Sequence, residues 1–566
     1  MKDNRTIPLP QWRGARMFAG AISSRRFLLA MLALAATLSA RPGEWKNERV
    51  LAATQGDFIV ALAANNQLLQ FRASAPGSII TATLVTGLKT GELLAGIDYR
   101  PATGQLYALG VSGASCRLYT INTLTGAAAP VGNAFTTPQA AGTGAGKEYG
   151  FDFNPTLDRI RVVTDSRDNF RLHPDTGAVA GVDYALSQGA TVATVAYDRN
   201  FAGSKVTTLY GIDPNTEQLV TIGGIDSSPS PNGGVIRTVG PLGVKAAGDI
   251  GFDISVGAVG TAYASMLVNG KTGFYTIDLK TGAATMVGTI GNGGVAVRDI
   301  AAAPAGALLP TSLSYVVWAL DASNKLTSFR VAEKDKPTIP KAVIGLQPGE
   351  RLVGIDYRPA TGQLYALGIN GASGRLYTIK PMTGVATPVG TAFAMPQAAG
   401  TGLGREYSFD FNPTLDRIRV VSDSRDNFRL HPDTGAVVGA DYALSQGATV
   451  TGVAYDRNYA GSKVTTLYGI DPNTDQLVTI GGIDSSPSPN GGVIRPVGPL
   501  GVNTASNVGF DITIGAEGLA LALLTVNNQP GIYSIYLPTG KANLVRTLIV
   551  KTPIIDIAIA PAGSGQ

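Results

Sequence analysis

The residues able to do chemistry are few, and they recur in a fixed pattern. Aspartates hold matching places in short alternating segments: Asp98 in GIDYR, Asp152 in GFDFN and Asp253 in GFDIS, then Asp356, Asp410 and Asp511 in a second series. Alanines fill that place in the remaining segments, Ala196 and Ala301 in the first series and Ala454 and Ala558 in the second. If these segments line a common axis, the three carboxylates of a series converge. Such a group can hold a hard cation such as Ca2+, whose ligands are chiefly oxygens. Two of its members can instead work as a glycosidase acid and base, repulsion raising the pKa of one. In the third and preferred reading, each aspartate caps backbone N–H groups of a neighbouring strand and locks the assembly.

Other candidates are sparser. The only histidines, His173 and His431, stand alone in equivalent RLHPDTG turns. One copy therefore cannot build a multi-histidine metal site, and a Ser-His-Asp triad would need distant partners to converge. Both histidines read as turn residues. Cys116 is the only cysteine and its counterpart is Gly374, which excludes an internal disulfide and a cysteine metal site and leaves a small strand or turn residue. In DRIRVVTDSRDNFRL, Arg159 and Arg161 share one strand face, as do Arg417 and Arg419 in the second series. They can form an anion-binding rim for a carboxylate or sulfated glycan. The neighbouring acids offset that field, so scaffolding through cross-strand charge pairs is the preferred reading. The IDSSPSPNGG loop, at Ile225 and again at Ile483, is a recognition loop or a connector. Walker, dinucleotide and EF-hand patterns are absent from the sequence.

Two tandem copies position these residues. GIDYRPATGQLYALG runs from Gly96 and again from Gly354, FDFNPTLDRIRVV from Phe151 and Phe409, and GGIDSSPSPNGGVIR from Gly223 and Gly481. Within each copy a fainter repeat opens at Gly96, Gly150, Thr194 and Gly251: an alternating strand, a turn, a second strand, then two more hinged on Thr-Gly or Asn-Thr. Alternation of β-branched and aromatic residues around glycine turns marks antiparallel hairpins. Four short strands repeated every 40 to 50 residues or so predict propeller blades in an all-β chain. The lone strand in VRDIAAAPAG (from Val297) can pair back with the opening strands of its copy and close a ring of five. The same role falls to IIDIAIAPAG (from Ile554) in the second copy. Two five-bladed propellers are expected. The alternative is one ten-bladed propeller, in which Val297–Pro304 pairs forward with Tyr315–Val331. The expected boundaries are a leader at 1–40, linker 41–54, first repeat 55–306, linker 307–312, second repeat 313–562 and tail 563–566.

These phrases, above all FDFNPTLDRIRVV followed by DNFRLHPDTG, resemble a bacterial family catalogued as domain of unknown function 4394. The resemblance spans nearly all of residues 55–305 and 313–562. It implies an exported propeller-like domain and brings no catalytic residues with it.

Composition narrows the function classes. Only 15% of the residues are charged and there are 71 glycines, which suits short strands and tight turns. The net charge of +5 resides in the first 40 residues, where Lys2, Arg5, Arg13, Arg16, Arg25 and Arg26 face Asp3 alone. The neutral remainder offers phosphate backbones no basic stripe, which excludes nucleic-acid binding. Arg25-Arg26, the apolar run Phe27–Leu38 and the small residues of TLSA form a secretory signal peptide, too short for a membrane span. SSRRFLL loosely resembles a twin-arginine signal, Sec export fits as well, and Met17 is an alternative start. A periplasmic or extracellular protein is therefore expected. Its leading function is non-enzymatic binding of a glycan, peptide or envelope component, or a structural role. The alternative is a carbohydrate-active hydrolase or lyase using the axial aspartates. No cofactor is expected beyond the Ca2+ that those acids allow.

Overall fold

The computed structural model describes residues 57–561 apart from 140–145, 193, 305–306, 308–314, 332–336, 398–399, 401 and 515–517. The leader at 1–40, the linker at 41–54 and the tail at 563–566 lie outside the described residues. Among the described residues the chain forms ten four-stranded antiparallel sheets, five from each copy. No helix there is long and apolar enough to cross a membrane.

The second sheet of the first copy shows how the sequence makes one unit. Leu93–Arg100, Gln105–Ser112, Ser115–Ile121 and Ala128–Thr136 pair in order. Gly104 closes the first turn at φ 64°, its N–H reaching Arg100 O at 2.8 Å, and Gly126 closes the third at φ 71°. Both turns require positive φ, which glycine adopts without steric cost. Sheets three, four and five follow with first strands Tyr149–Asn154, Thr194–Tyr197 and Ala247–Ile254.

The first sheet is assembled from both ends of its copy. Val297–Ala302 pairs with Phe58–Ala63, Ala301 opposite Val60, and Gln67–Arg72 and Thr81–Leu84 complete it. Ile554–Ile559 likewise pairs with Val316–Asp321. The late strand therefore turns back within its own copy, and the forward pairing of Val297–Pro304 with Tyr315–Val331 is not formed. In the second copy the remaining first strands are Arg351–Tyr357, Tyr407–Asn412, Gly452–Tyr455 and Gly509–Ile512.

Apolar layers lie between successive sheets. Val60 and Leu68 of the first sheet pack with Ile97, Tyr99 and Ala108 of the second. Tyr107 and Leu109 on the other face of the second sheet meet Phe151, Phe153 and Phe170 of the third. Each buried valine, leucine, isoleucine or phenylalanine among them contributes about 1.5–3 kcal/mol. First strands such as Tyr149–Asn154 and Thr194–Tyr197 are buried along their whole length, while fourth strands such as Ala128–Thr136 are largely exposed. The two copies also touch: Thr539 Oγ1 donates to Ala102 O at 2.8 Å and Asn543 Nδ2 to Thr103 O at 3.1 Å.

Candidate functional site

The first strands pack against one another in cyclic order, the fifth reaching the first. A Gly-x-Asp motif, present at Gly96, Gly150, Gly251, Gly354 and Gly509, explains how several of them come so close. A Cβ on Gly96 would lie 2.5 Å from the Phe151 Cβ of the next strand, and one on Gly251 would lie 2.7 Å from Asp299 C. The aspartate two residues on, which alternation places on the same strand face, then reaches across the junction.

Asp98 Oδ2 accepts from Phe153 N at 2.7 Å, Asp152 Oδ1 from Tyr197 N at 3.0 Å and Asp253 Oδ2 from Ala302 N at 2.6 Å. In the second copy Asp356, Asp410 and Asp511 accept from Phe411, Tyr455 and Ile559 at 2.8, 2.9 and 2.5 Å. A fourth aspartate, absent from the sequence-based set, completes the pattern. Asp299 Oδ2 accepts from Ile97 N at 2.9 Å, and Asp556 does the same for Ile355 N. The available clue was alternation, because Asp299 precedes Ala301 by two residues and shares its face. The junction from fourth to fifth sheet has alanine, Ala196 or Ala454, at the aspartate place; in the second copy Asn458 Nδ2 donates to Ile512 O there at 3.1 Å.

The expected convergence is present. One carboxylate oxygen from each of Asp98, Asp152 and Asp253 lies within 4.8 Å of the others, and so it is for Asp356, Asp410 and Asp511. All six side chains are buried. Burial first, then repulsion from Asp253, holds the Asp98 carboxyl well above the usual carboxylate range, and Asp152 is raised by burial and by Asp98. Burial pushes Asp253 and Asp511 up to about 7. A glycosidase pair needs a sugar between its acids. These carboxylates are instead enclosed and bonded to the backbone.

The paired arginines are not equivalent. Arg161 is only 2% exposed. It donates to Asn169 Oδ1 at 2.7 Å, Asp183 Oδ2 at 2.5 Å and Asn232 Oδ1 at 2.6 Å, so its guanidinium is occupied from within. Arg419 repeats this with Asn427, Asp441 and Asn490. Neither lies on a rim. Their neighbours Arg159 and Arg417 are half-buried and donate to the carbonyls of Asp158 and Asp416. The IDSSPSPNGG loop is the partner that Arg161 holds, through Asn232, and Pro231 O accepts from Asn169 Nδ2 at 3.1 Å. His173 Nδ1 accepts from Asp175 N in its turn, and His431 does so from Asp433 N. Cys116 is buried beside Thr137 Oγ1 at 3.1 Å.

A cavity of about 520 Å3 opens where the first strands of the first copy begin, and all five sheets line it. Leu94, Tyr149, Thr194, Ile250 and Arg298 each come from a different one. Arg298 Nε lies 3.6 Å from Asp249 Oδ2, and its Nη1 donates to Leu94 O at 3.1 Å. Glu148 is raised by burial, then by Asp249 and Asp165. Sequence reasoning missed Glu148, Asp249 and Arg298, because nothing in their spacing marks them as neighbours. In the second copy Glu406 is retained while Asn507 and Ile555 replace Asp249 and Arg298.

The chain matches the family described as Domain of unknown function (DUF4394) over residues 67–301 and 325–558, and it belongs to that family in two tandem copies. No curated protein matches it in sequence. Among solved structures it is similar to "Dihydro-heme d1 dehydrogenase NirN in complex with DHE", at 11% identity over 78% of this chain and 73% of that one, with a TM-score of 0.23. A likeness that weak carries no argument about function.

Proposed function

We propose that each copy closes as a five-bladed propeller, and that the protein is an exported, non-enzymatic binding protein whose ligand enters the axial mouth of the first copy. Closure is supported by the return pairing of Val297–Ala302 onto Phe58–Ala63 and by the Asp253–Ala302 hydrogen bond joining the fifth sheet to the first. Export is supported by the leader described above.

The observation that carries the binding role is the five-sided cavity of about 520 Å3, a volume within the range of small-ligand sites. Its walls combine apolar side chains such as Leu94, Val111 and Ile250 with the charged Glu148, Asp249 and Arg298. That mixture suits a small polar molecule with an apolar face, such as a glycan or peptide fragment of the cell envelope. The second copy, with Asn507 and Ile555 at the matching places, acts as scaffold. The burial of the aspartates weighs against the alternative of a carbohydrate-active hydrolase or lyase, because a substrate must touch its acid and base.

A thermal-shift screen of oligosaccharides and short peptides against the full chain tests the reading, since a specific ligand raises apparent stability by mass action. The stabilisation is expected to vanish in Glu148→Gln and Arg298→Ile and to survive in Glu406→Gln. Stabilisation that persists in both mouth variants removes the mouth as the site. Turnover of a glycan, lost in Asp98→Asn with the melting curve unchanged, overturns the non-enzymatic role.

A further inference from the structure

Each copy buries four aspartates near the line where its first strands meet: Asp98, Asp152, Asp253 and Asp299 in the first, Asp356, Asp410, Asp511 and Asp556 in the second. Among the described residues none of the eight forms an ion pair; the hydrogen bonds they accept come from backbone N–H groups. A buried carboxylate without a cation is costly, and several together more so. The backbone amides do not occupy every oxygen. Asp98 uses both, toward Tyr99 and Phe153, as do Asp253, toward Ile254 and Ala302, and Asp356, toward Tyr357 and Phe411. Asp152 uses only Oδ1, toward Tyr197, and Asp410 only Oδ1, toward Tyr455. Asp511 Oδ1 is a buried oxygen with no hydrogen-bond partner. The cluster thus contains acceptor atoms that the protein itself leaves unsatisfied.

We propose that the converging carboxylates of Asp98, Asp152 and Asp253 hold one calcium ion, and those of Asp356, Asp410 and Asp511 another. The donors are all hard anionic oxygens, which select a hard cation over a thiophilic one. Their oxygens lie within 4.8 Å of one another, close enough for a single ion to contact all three at calcium–oxygen distances of about 2.3–2.6 Å. Magnesium demands a near-ideal octahedron at about 2.0–2.1 Å, whereas calcium accepts longer and less regular shells, which suits carboxylates already fixed by their backbone bonds. An ion there would neutralise the carboxylates while leaving their backbone bonds intact, so the same side chains would tie the sheets together and hold the metal. Burial implies loading during folding, with slow exchange afterwards.

The test refolds the full chain from urea with CaCl2, with MgCl2 or with a chelator, removes free metal by gel filtration, and measures bound metal by mass spectrometry together with the melting temperature. The expected result is one calcium per copy, retained after filtration, and a higher melting temperature than in chelator. Asp152→Asn removes a charge while keeping Oδ1 for Tyr197 N, so this variant is expected to fold and to carry half the calcium. Adding Asp410→Asn is expected to remove the remainder. If the wild-type chain refolded in CaCl2 carries no calcium and melts as it does in chelator, the proposal fails and protons neutralise the trios. Retention of magnesium in place of calcium overturns the assignment of the ion, and unchanged calcium in the double variant overturns the assignment of the residues.

Discussion

Asp98 Oδ2 accepts a hydrogen bond from the Phe153 amide at 2.7 Å, although the two residues belong to different sheets. Its Oδ1 takes the amide of Tyr99 in its own strand at 2.6 Å. One carboxylate thus fixes the spacing of two sheets through main-chain atoms, which side-chain packing alone specifies less tightly.

That bond predicts a difference between two conservative variants. Asn at position 98 turns an NH2 group toward an amide that needs an acceptor, whereas Asn at 152 retains the one oxygen that Tyr197 uses. Both variants replace one buried carboxyl by an amide, so any effect of protonation largely cancels in the comparison. In chelator, Asp98→Asn is expected to be less stable than Asp152→Asn by about 1–3 kcal/mol, the cost of a buried unpaired amide. Urea denaturation measures it, and equal midpoints with equal slopes would count against the bonding role.

The two arginines of the repeated DRIRVV phrase should differ more sharply. Arg161→Met leaves Asp183 with Arg171 alone and strands Asn169 and Asn232, and is expected to cost about 3 kcal/mol. Arg159→Met, at a half-buried position bonded to one carbonyl, is expected to stay within about 0.5 kcal/mol of wild type. Similar losses for both would show that the phrase does not work through its buried member.

Stability should depend on pH with a definite sign. Burial raises the Asp253 and Asp511 carboxyls from 3.8 to about 7. Unfolded, they titrate near 3.9, so between those values the folded chain keeps protons that the unfolded chain has released. Their stabilising contribution is complete below about pH 4 and is lost as pH rises through about 7. In chelator the melting temperature is expected to fall across this window, and CaCl2 should flatten the slope because a bound cation favours the ionised form. A melting temperature that rises with pH in chelator would contradict the sign.

Cys116 should be inert in the folded chain. Burial pushes its thiol up from the ordinary value, which depletes the reactive thiolate, and no part of the side chain reaches solvent. Negligible labelling by a thiol reagent is expected until urea unfolds the protein. Rapid labelling of native protein would place that strand at the surface.

The IDSSPSPNGG loop shows where local reading stops. Its proline and glycine content identifies a loop and leaves recognition and connection equally open. The structure ties it to Asn169 and Arg161, more than sixty residues away in sequence, through Pro231 and Asn232. Asp299 is similar: alternation puts it on the face of Ala301, but only the junction with Ile97 gives it a task.

By itself the sequence determined the tandem duplication, the all-β character, the grouping of strands in fours and the family, since periodicity, turn residues and repeated phrases are local properties of a chain. It also singled out the three aspartates of each copy, because equivalent places in repeated units become neighbours whenever the units share an axis. Only the tertiary structure decided that Val297–Ala302 turns back onto Phe58–Ala63, that Arg161 is enclosed while Arg159 is not, and that Glu148, Asp249 and Arg298 face one cavity. Those facts depend on which strand ends meet between sheets, and residues brought together that way are separated by whole sheets of intervening chain with no shared local pattern.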